Sequence, residues 1–324
     1  MITAKLPGLI ILFILAMVSI FFSLLKGSIH IDCYQLFCAF RGHSSPDFDE
    51  IIWRIRLPRA LSAFVTGALL SIAGAIVQVL LKNPLADPYI LGVSGGAGVV
   101  SLLFILCGFS GLWITFGAWL GSIFAILLVF LFIQRKNIWH SEHVLLTGVA
   151  LASGFSAIIS FILLTSENNA LHSMLYWLLG DLSDAHFPFY ESIILLLALL
   201  VSFCYAKELN LLKHGEMYAE ALGVATKKMY RQLYFLCALL TATAVGLAGC
   251  IGFVGLIVPH IFRRLVSADH RLLLPGSALL GGTFLTFADT VSRTLFAPLE
   301  LPVGMIMAFL GIPFFIFLLQ KKQP

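Results

Sequence analysis

Residues 207–231 read KELNLLKHGEMYAEALGVATKKMYR, a polar island with long apolar runs on either side. Eight of its side chains are charged: Lys207, Glu208, Lys213, Glu216, Glu220, Lys227, Lys228 and Arg231. Glu216, Glu220 and Lys227 are spaced for short helices, and Gly215 and Gly223 punctuate them. An island of this kind between two membrane bundles is either a solvated connector or a surface offered to a soluble partner.

The flanking runs set the fold class. The 324 residues are 60% hydrophobic and only 11% charged, with a mean hydropathy of +1.01. A soluble domain carries about 25% charged residues. So few charges cannot clothe a water-facing surface, which makes the chain an all-α integral membrane protein, one domain over 1–324. The run from Leu6 to Leu25 has a membrane span's length and no small-x-small cleavage site, so it reads as a span. Four of the six cysteines lie in apolar runs; Cys33 and Cys38 share a loop, where a disulfide is one option and free thiols the other.

Ten spans follow from the apolar runs, at 7–25, 61–81, 89–107, 112–133, 144–164, 188–205, 232–249, 251–264, 272–292 and 303–319. The run 232–262 is too long for one crossing of about 30 Å of hydrocarbon, so it is divided. Ten spans put both termini on the cytoplasmic side. Fourteen of the 20 Lys and Arg residues then face inward, including Lys5, Arg135, Lys136, Lys321 and Lys322. The exception is Arg54, Arg56 and Arg59, clustered at the outer start of the second span. They fit either headgroup anchoring or docking of an acidic partner. A short repeat, SIAGAI at 71–76 and GLAGCI at 246–251, hints at inverted halves.

The stretch NPLADPYILGVSGGA at 83–97 joins the second and third spans. Pro84 and Pro88 forbid a continuous helix, and irregular backbone at membrane depth persists only against protein or a water-filled cavity. The turn is therefore either part of a pathway or an ordinary tight turn. Within it, GVSG at 92–95 also fits an intramembrane serine protease with Ser94 as nucleophile and His260 as the available base. An ion-driven carrier, the other alternative, needs buried acids; only Asp289 qualifies, with Arg293 four residues on as its partner. No Gly-Lys dipeptide and hence no P-loop occurs, and there is no His-x-x-x-His or Cys-x-x-Cys pair. The chain is read as having no catalytic residues, no metal site and no nucleic-acid partner.

Several motifs together resemble the FecCD-type permeases, the membrane subunits of type II ABC importers for iron-siderophores, haem and cobalamin. They are RLPR at 56–59, Gly74 with Gln78, NPLADP at 83–88 with LGVSGGA at 91–97, WLLGD at 177–181 and Glu216 to Val224. GFVGLIVPH at 252–260, DHR at 269–271, Pro275, Asp289 with Arg293, ELPVG at 300–304 and GIPF at 311–314 follow in family order. Ser267 stands where a glycine is common, and the loops at 27–50 and 134–143 have no match.

The resemblance implies a type II importer permease fold of ten helices, a homodimer or a pair of related permeases in the bacterial cytoplasmic membrane, and a pathway between the two subunits. It makes 207–231 the coupling helices of a cytoplasmic ATPase dimer, through Glu216, Ala219, Glu220, Leu222 and Gly223. It puts Asn83 and Leu85 at the cytoplasmic gate. It gives Arg56, Arg59 and Arg293 to an extracytoplasmic substrate-binding protein. ATP and Mg would be bound by the partner ATPase, and this chain would need no cofactor. Which chelate is carried does not follow from these motifs.

Overall fold

The computed structural model of the protein describes residues 6–27, 29–42, 45–136 and 141–320. Lys5, Lys321, Lys322 and part of the 134–143 loop lie outside the described residues. Fifteen α-helices and no strand occur among them: α1 (Leu6–Leu25), α2 (Cys33–Phe40), α3 (Pro46–Glu50), α4 (Leu57–Leu80), α5 (Val93–Leu106), α6 (Leu112–Lys136), α7 (Ser141–Thr165) and α8 (Asn168–Leu178). Then come α9 (Phe189–Cys204), α10 (Ala206–Leu212), α11 (Glu216–Ala221), α12 (Thr226–Ala248), α13 (Val254–Leu265), α14 (His270–Thr294) and α15 (Val303–Gln320). The ten apolar helices α1, α4, α5, α6, α7, α9, α12, α13, α14 and α15 match the ten expected spans in order. Six are long and apolar enough to cross a membrane unaided, and α9 is bent 56° from α10.

α4 is the central post. Nearly all of its residues are buried, and it lies against α14, α12 and α13. Without a hydrophobic driving force between helices in lipid, close backbone approach does the binding, and glycine permits it. A Cβ on Gly67 would overlap the Gly281 carbonyl of α14; one on Gly74 would overlap the Gly255 backbone of α13.

α4 begins as a continuation of α3 through a π-helical stretch at Ile51–Arg56. The cause lies in Pro58, whose ring nitrogen has no hydrogen to give the carbonyl four residues back. The Arg54 carbonyl thus loses its helical donor, and the N–H of Leu57 reaches Ile52, five residues back. Arg56 and Arg59 then share the inward face, while Arg54 stays outside.

The long apolar run breaks where α12 ends, but not at every glycine. Gly246 is buried inside α12, and Pro259 sits within α13. The break is 249–253, with Gly249 at φ +68° and Phe253 at φ +70°. α13, at 12 residues, reaches about 18 Å and spans only part of the hydrocarbon. The exposed amides and carbonyls of the break find protein partners: Ile251 N–H donates to the Tyr89 hydroxyl (3.1 Å), and Asp181 N–H to the Ala248 carbonyl (3.0 Å).

Several expectations shift. α12 starts at Thr226, so Lys227, Lys228 and Arg231 belong to its first turns rather than to the island. The 27–50 loop contains α2 and α3, and α8 is a helix the span count omits. Cys33 and Cys38 are free thiols on α2; five residues apart on a helix, they point about 140° from each other. The two copies of the six-letter repeat fall in unlike places, one mid-helix in α4 and one across the end of α12.

Candidate functional site

Three groups of residues stand out, two at the end of the bundle that carries α11 and one at the opposite end. The first is the α10–α11 knob. α10 is clamped to the turn between α13 and α14 by its polar face. Asn210 donates to the Asp269 carboxylate (2.7 Å) and accepts from the His270 N–H (3.0 Å), while the Lys213 ammonium donates to the Ala268 carbonyl. Burial pushes the Asp269 carboxyl up, but the Arg271 N–H, Asn210 and the neighbouring charges outweigh it and hold it below the usual carboxylate range. α11 is tied at both ends. Lys82, just past α4, meets Glu216 at 3.3 Å, and the Thr226 hydroxyl at the start of α12 donates to Glu220 at 2.5 Å.

The expected coupling residues divide by direction. Ala219 is fully buried and fixes α11 against the bundle; Glu220, Leu222 and Gly223 are exposed, and Glu216 is half-buried. Gly223 turns the chain at φ +84°, where a glycine is at ease. Sequence reasoning missed the most prominent members of this surface. Met217 is 86% exposed and Tyr218 51%, flanking Leu222 at 55%. A short helix that shows three large apolar side chains next to acids is built like a docking surface. Their signal was legible: apolar residues inside the only polar island of the second half.

The second group is the turn after α4. Asn83 and Leu85 lie together there, but their direct link is local: the Leu85 N–H donates to the Asn83 side chain at 2.9 Å. Asn83 is exposed and Leu85 half-buried. Beneath them sits Gln78, which the sequence offered only as a motif residue paired with Gly74. Its amide nitrogen donates to the Gly255 and Leu256 carbonyls, both at 3.2 Å, and its oxygen accepts from Arg263. Gln78 thus bolts the short helix α13 to the end of α4. A cavity of about 280 Å³ lies beside it, lined by Gln78, Lys82, Pro84, Leu212, Lys213 and Arg263. The turn after α4, the knob and α13 meet at this cavity.

The third group is at the far end. Arg56, Arg59 and Arg293 all point inward and are only 4–5% exposed. Arg59 Nε donates to Asp289 Oδ1 at 3.0 Å and Arg59 Nη1 to Glu300 Oε2 at 2.6 Å. Arg293 Nε takes the other Asp289 oxygen at 3.1 Å and also donates to the Ser23 hydroxyl at 2.8 Å. Arg56 donates to the carbonyls of Leu24 (2.6 Å) and Ile29, past the end of α1. A helix C-terminus leaves carbonyls unpaired, and a guanidinium supplies donors in a fork. The three arginines therefore staple α1, α4 and α14 together. The solvent-facing members of this end are Glu300, with a 39% exposed side chain, and Arg54, 80% exposed and paired with Glu50. Nearby, Glu191 at 3.3 Å holds the His186 imidazole above its ordinary range against the opposing pull of burial.

The rival chemistries find no support in this geometry. His260 Nε2 is buried with no hydrogen-bond partner among the described residues, so it makes no dyad with Ser94. Asp289 is locked between two guanidiniums, with one oxygen on Arg59 and the other on Arg293.

Residues 14–321 match the FecCD transport family. The hemin transport system permease protein HmuU of Yersinia pestis is 36% identical, covering 98% of this chain and 97% of its own length. The cobalamin import system permease protein BtuC of Halobacterium salinarum is 40% identical over 84% of this chain and 74% of its own length. Among solved structures, an inward-facing conformation of a metal-chelate type ABC transporter aligns with a TM-score of 0.84 and 32% identity. It covers 97% of this chain and 98% of the matched one.

Proposed function

This chain belongs to the FecCD transport family, and we propose that it is the membrane-spanning permease subunit of an ATP-driven ABC importer for an iron chelate, haem or cobalamin. It works in the bacterial cytoplasmic membrane, with the α11 end and both termini in the cytoplasm. The positive-inside count and the position of the mixed-charge knob support this orientation. The chain pairs with a second permease, a copy of itself or a relative, and the cargo passes between the two. The exposed face of α7 supports that pairing, since Ser153, Ser156 and Ser160 sit on it and a lipid-facing helix seldom carries hydroxyls in such a row.

One observation carries the mechanism. α11 is tied to α4 through Lys82, to α12 through Thr226 and, through α10, to the turn between α13 and α14. A force on the knob therefore reaches the gate turn at Asn83 and Leu85 and the broken span together. Cytoplasmic ATPase subunits hold α11 by Met217, Tyr218 and Leu222, with Glu216 and Glu220 at the rim. When they close on ATP, they draw the knobs of the two permeases together and shift the bundle between inward and outward states. This chain contributes no covalent chemistry and no nucleotide site. At the other end a substrate-binding protein brings the cargo and seats over Arg54 and the Arg59 cluster.

Met217→Asp combined with Leu222→Asp tests the coupling surface. Both side chains are exposed, so the bundle folds as before. Each change removes a central contact that typically contributes about 2 kcal/mol. The double variant purifies without ATPase subunits and supports no uptake. Retention of the ATPase at wild-type affinity would rule out α11 as the grip.

A further inference from the structure

Glu300 occupies the place that an incoming carboxylate needs. Asp289 is fully buried and spends one oxygen on Arg59 and the other on Arg293. The remaining end of Arg59 is held at 2.6 Å by Glu300, the only acid of this cluster that solvent reaches. Arg59 itself is almost closed to solvent. Two guanidiniums, Arg59 and Arg293, thus share two carboxylates while Arg56 is held by backbone carbonyls, and an acidic side chain arriving from outside meets Arg59 only where Glu300 already sits.

Glu300 sits on a segment bonded to α8, to α14 and to the turn before the broken span. Residues 295–302 join α14 to α15, and the turn exposes Leu295, Phe296 and Leu299 beside it. The Glu300 carbonyl accepts from the Tyr176 hydroxyl of α8 (3.4 Å), and Leu301 N–H donates to the Ser292 carbonyl (3.2 Å). The Val303 N–H at the start of α15 donates to the Gly180 carbonyl (3.1 Å), next to the broken span.

We propose that Glu300 is an internal stand-in for the binding protein's docking carboxylate: it holds Arg59 while nothing is docked and is displaced when the partner arrives. The proposal rests on the docking reading given above and adds the regulation of that site. Exchange of one carboxylate for another keeps Arg59 paired, so the buried charge is never left alone, and the released Glu300 side chain moves into water. Docking is thereby made weaker than the arginine cluster alone would allow. Release of Glu300 also loosens the 295–302 segment, which carries the signal of docking to α8 and α15.

The test uses the permease with its ATPase subunits in lipid nanodiscs, titrated with the substrate-binding protein that supports uptake through it. Glu300→Gln removes the competing charge, and the binding protein then docks about tenfold tighter than to wild type. Glu300→Asp, one methylene shorter, tightens docking by less. Damage to the fold weakens docking, so tightening cannot come from it. Wild-type or weaker affinity in both variants overturns the proposal. Arg54→Glu, at an exposed position, separates this from failure of the docking reading. If it weakens docking while the Glu300 variants do not tighten it, only the stand-in role falls. If none of the three variants changes docking, the binding protein seats elsewhere and both readings fall.

Discussion

Asp289 shows how much a single side chain can decide. It accepts from Arg59 and Arg293 with separate oxygens and is fully buried. Asp289→Asn keeps the shape but leaves the buried Arg293 guanidinium without its anion and Arg59 with Glu300 alone. Breaking a buried ion pair by removing one partner costs about 3–5 kcal/mol. The variant should lose stability on that scale in thermal unfolding of the detergent-purified protein, and a loss no larger than that of an exposed control such as Glu50→Gln would contradict the account. Half of this cluster was legible beforehand. Arg293 lies one helical turn from Asp289, so spacing revealed it, whereas Arg59 is 230 residues away and only the packing of α4 on α14 brings it in. The same limit explains the arginines' orientation. A basic cluster at a span's end looks like an outward-facing patch until the unpaired carbonyls of α1 turn it inward. Ala219 and Met217 differ by two positions on a six-residue helix, too short for periodicity to say which faces in.

At the scale of elements, the apolar spans were readable and the helix ends were not. Length alone divides the run 232–262, but four glycines and a proline offered break points, and the chain used 249–253. The choice is set by Tyr89 and the turn at 177–181, which satisfy the broken backbone from outside it. The π-helical stretch before Pro58 likewise has a local cause that the span pattern concealed. Close glycine contacts are the test of how these elements hold together. A Cβ at Gly74 would meet the Gly255 backbone, which cannot step aside, whereas one at Gly252 meets nothing within 4 Å. Gly74→Val should therefore cost about 3 kcal/mol in unfolding, at the upper end for overpacking, and should separate α13 from α4. Gly252→Ala should be nearly neutral. Equal effects of the two would show that the α4–α13 approach is not what closes the bundle.

For the whole molecule, the parts form one chain of contacts. The knob grips the α13–α14 turn and α4, Gln78 bolts α13 to the end of α4, and α4 runs from the turn at Asn83 and Leu85 to the arginine cluster at the other end. The buried acid that an ion-driven carrier would use is held between two arginines. This protein is therefore a conduit driven from outside itself. The most direct measurement is cargo uptake into proteoliposomes, with the permease alone, with an ion gradient, and with the ATPase subunits, binding protein and ATP all present. The account predicts accumulation only in the last case, abolished when a non-hydrolysable ATP analogue replaces ATP. Accumulation by the permease alone under a proton or sodium gradient would contradict it.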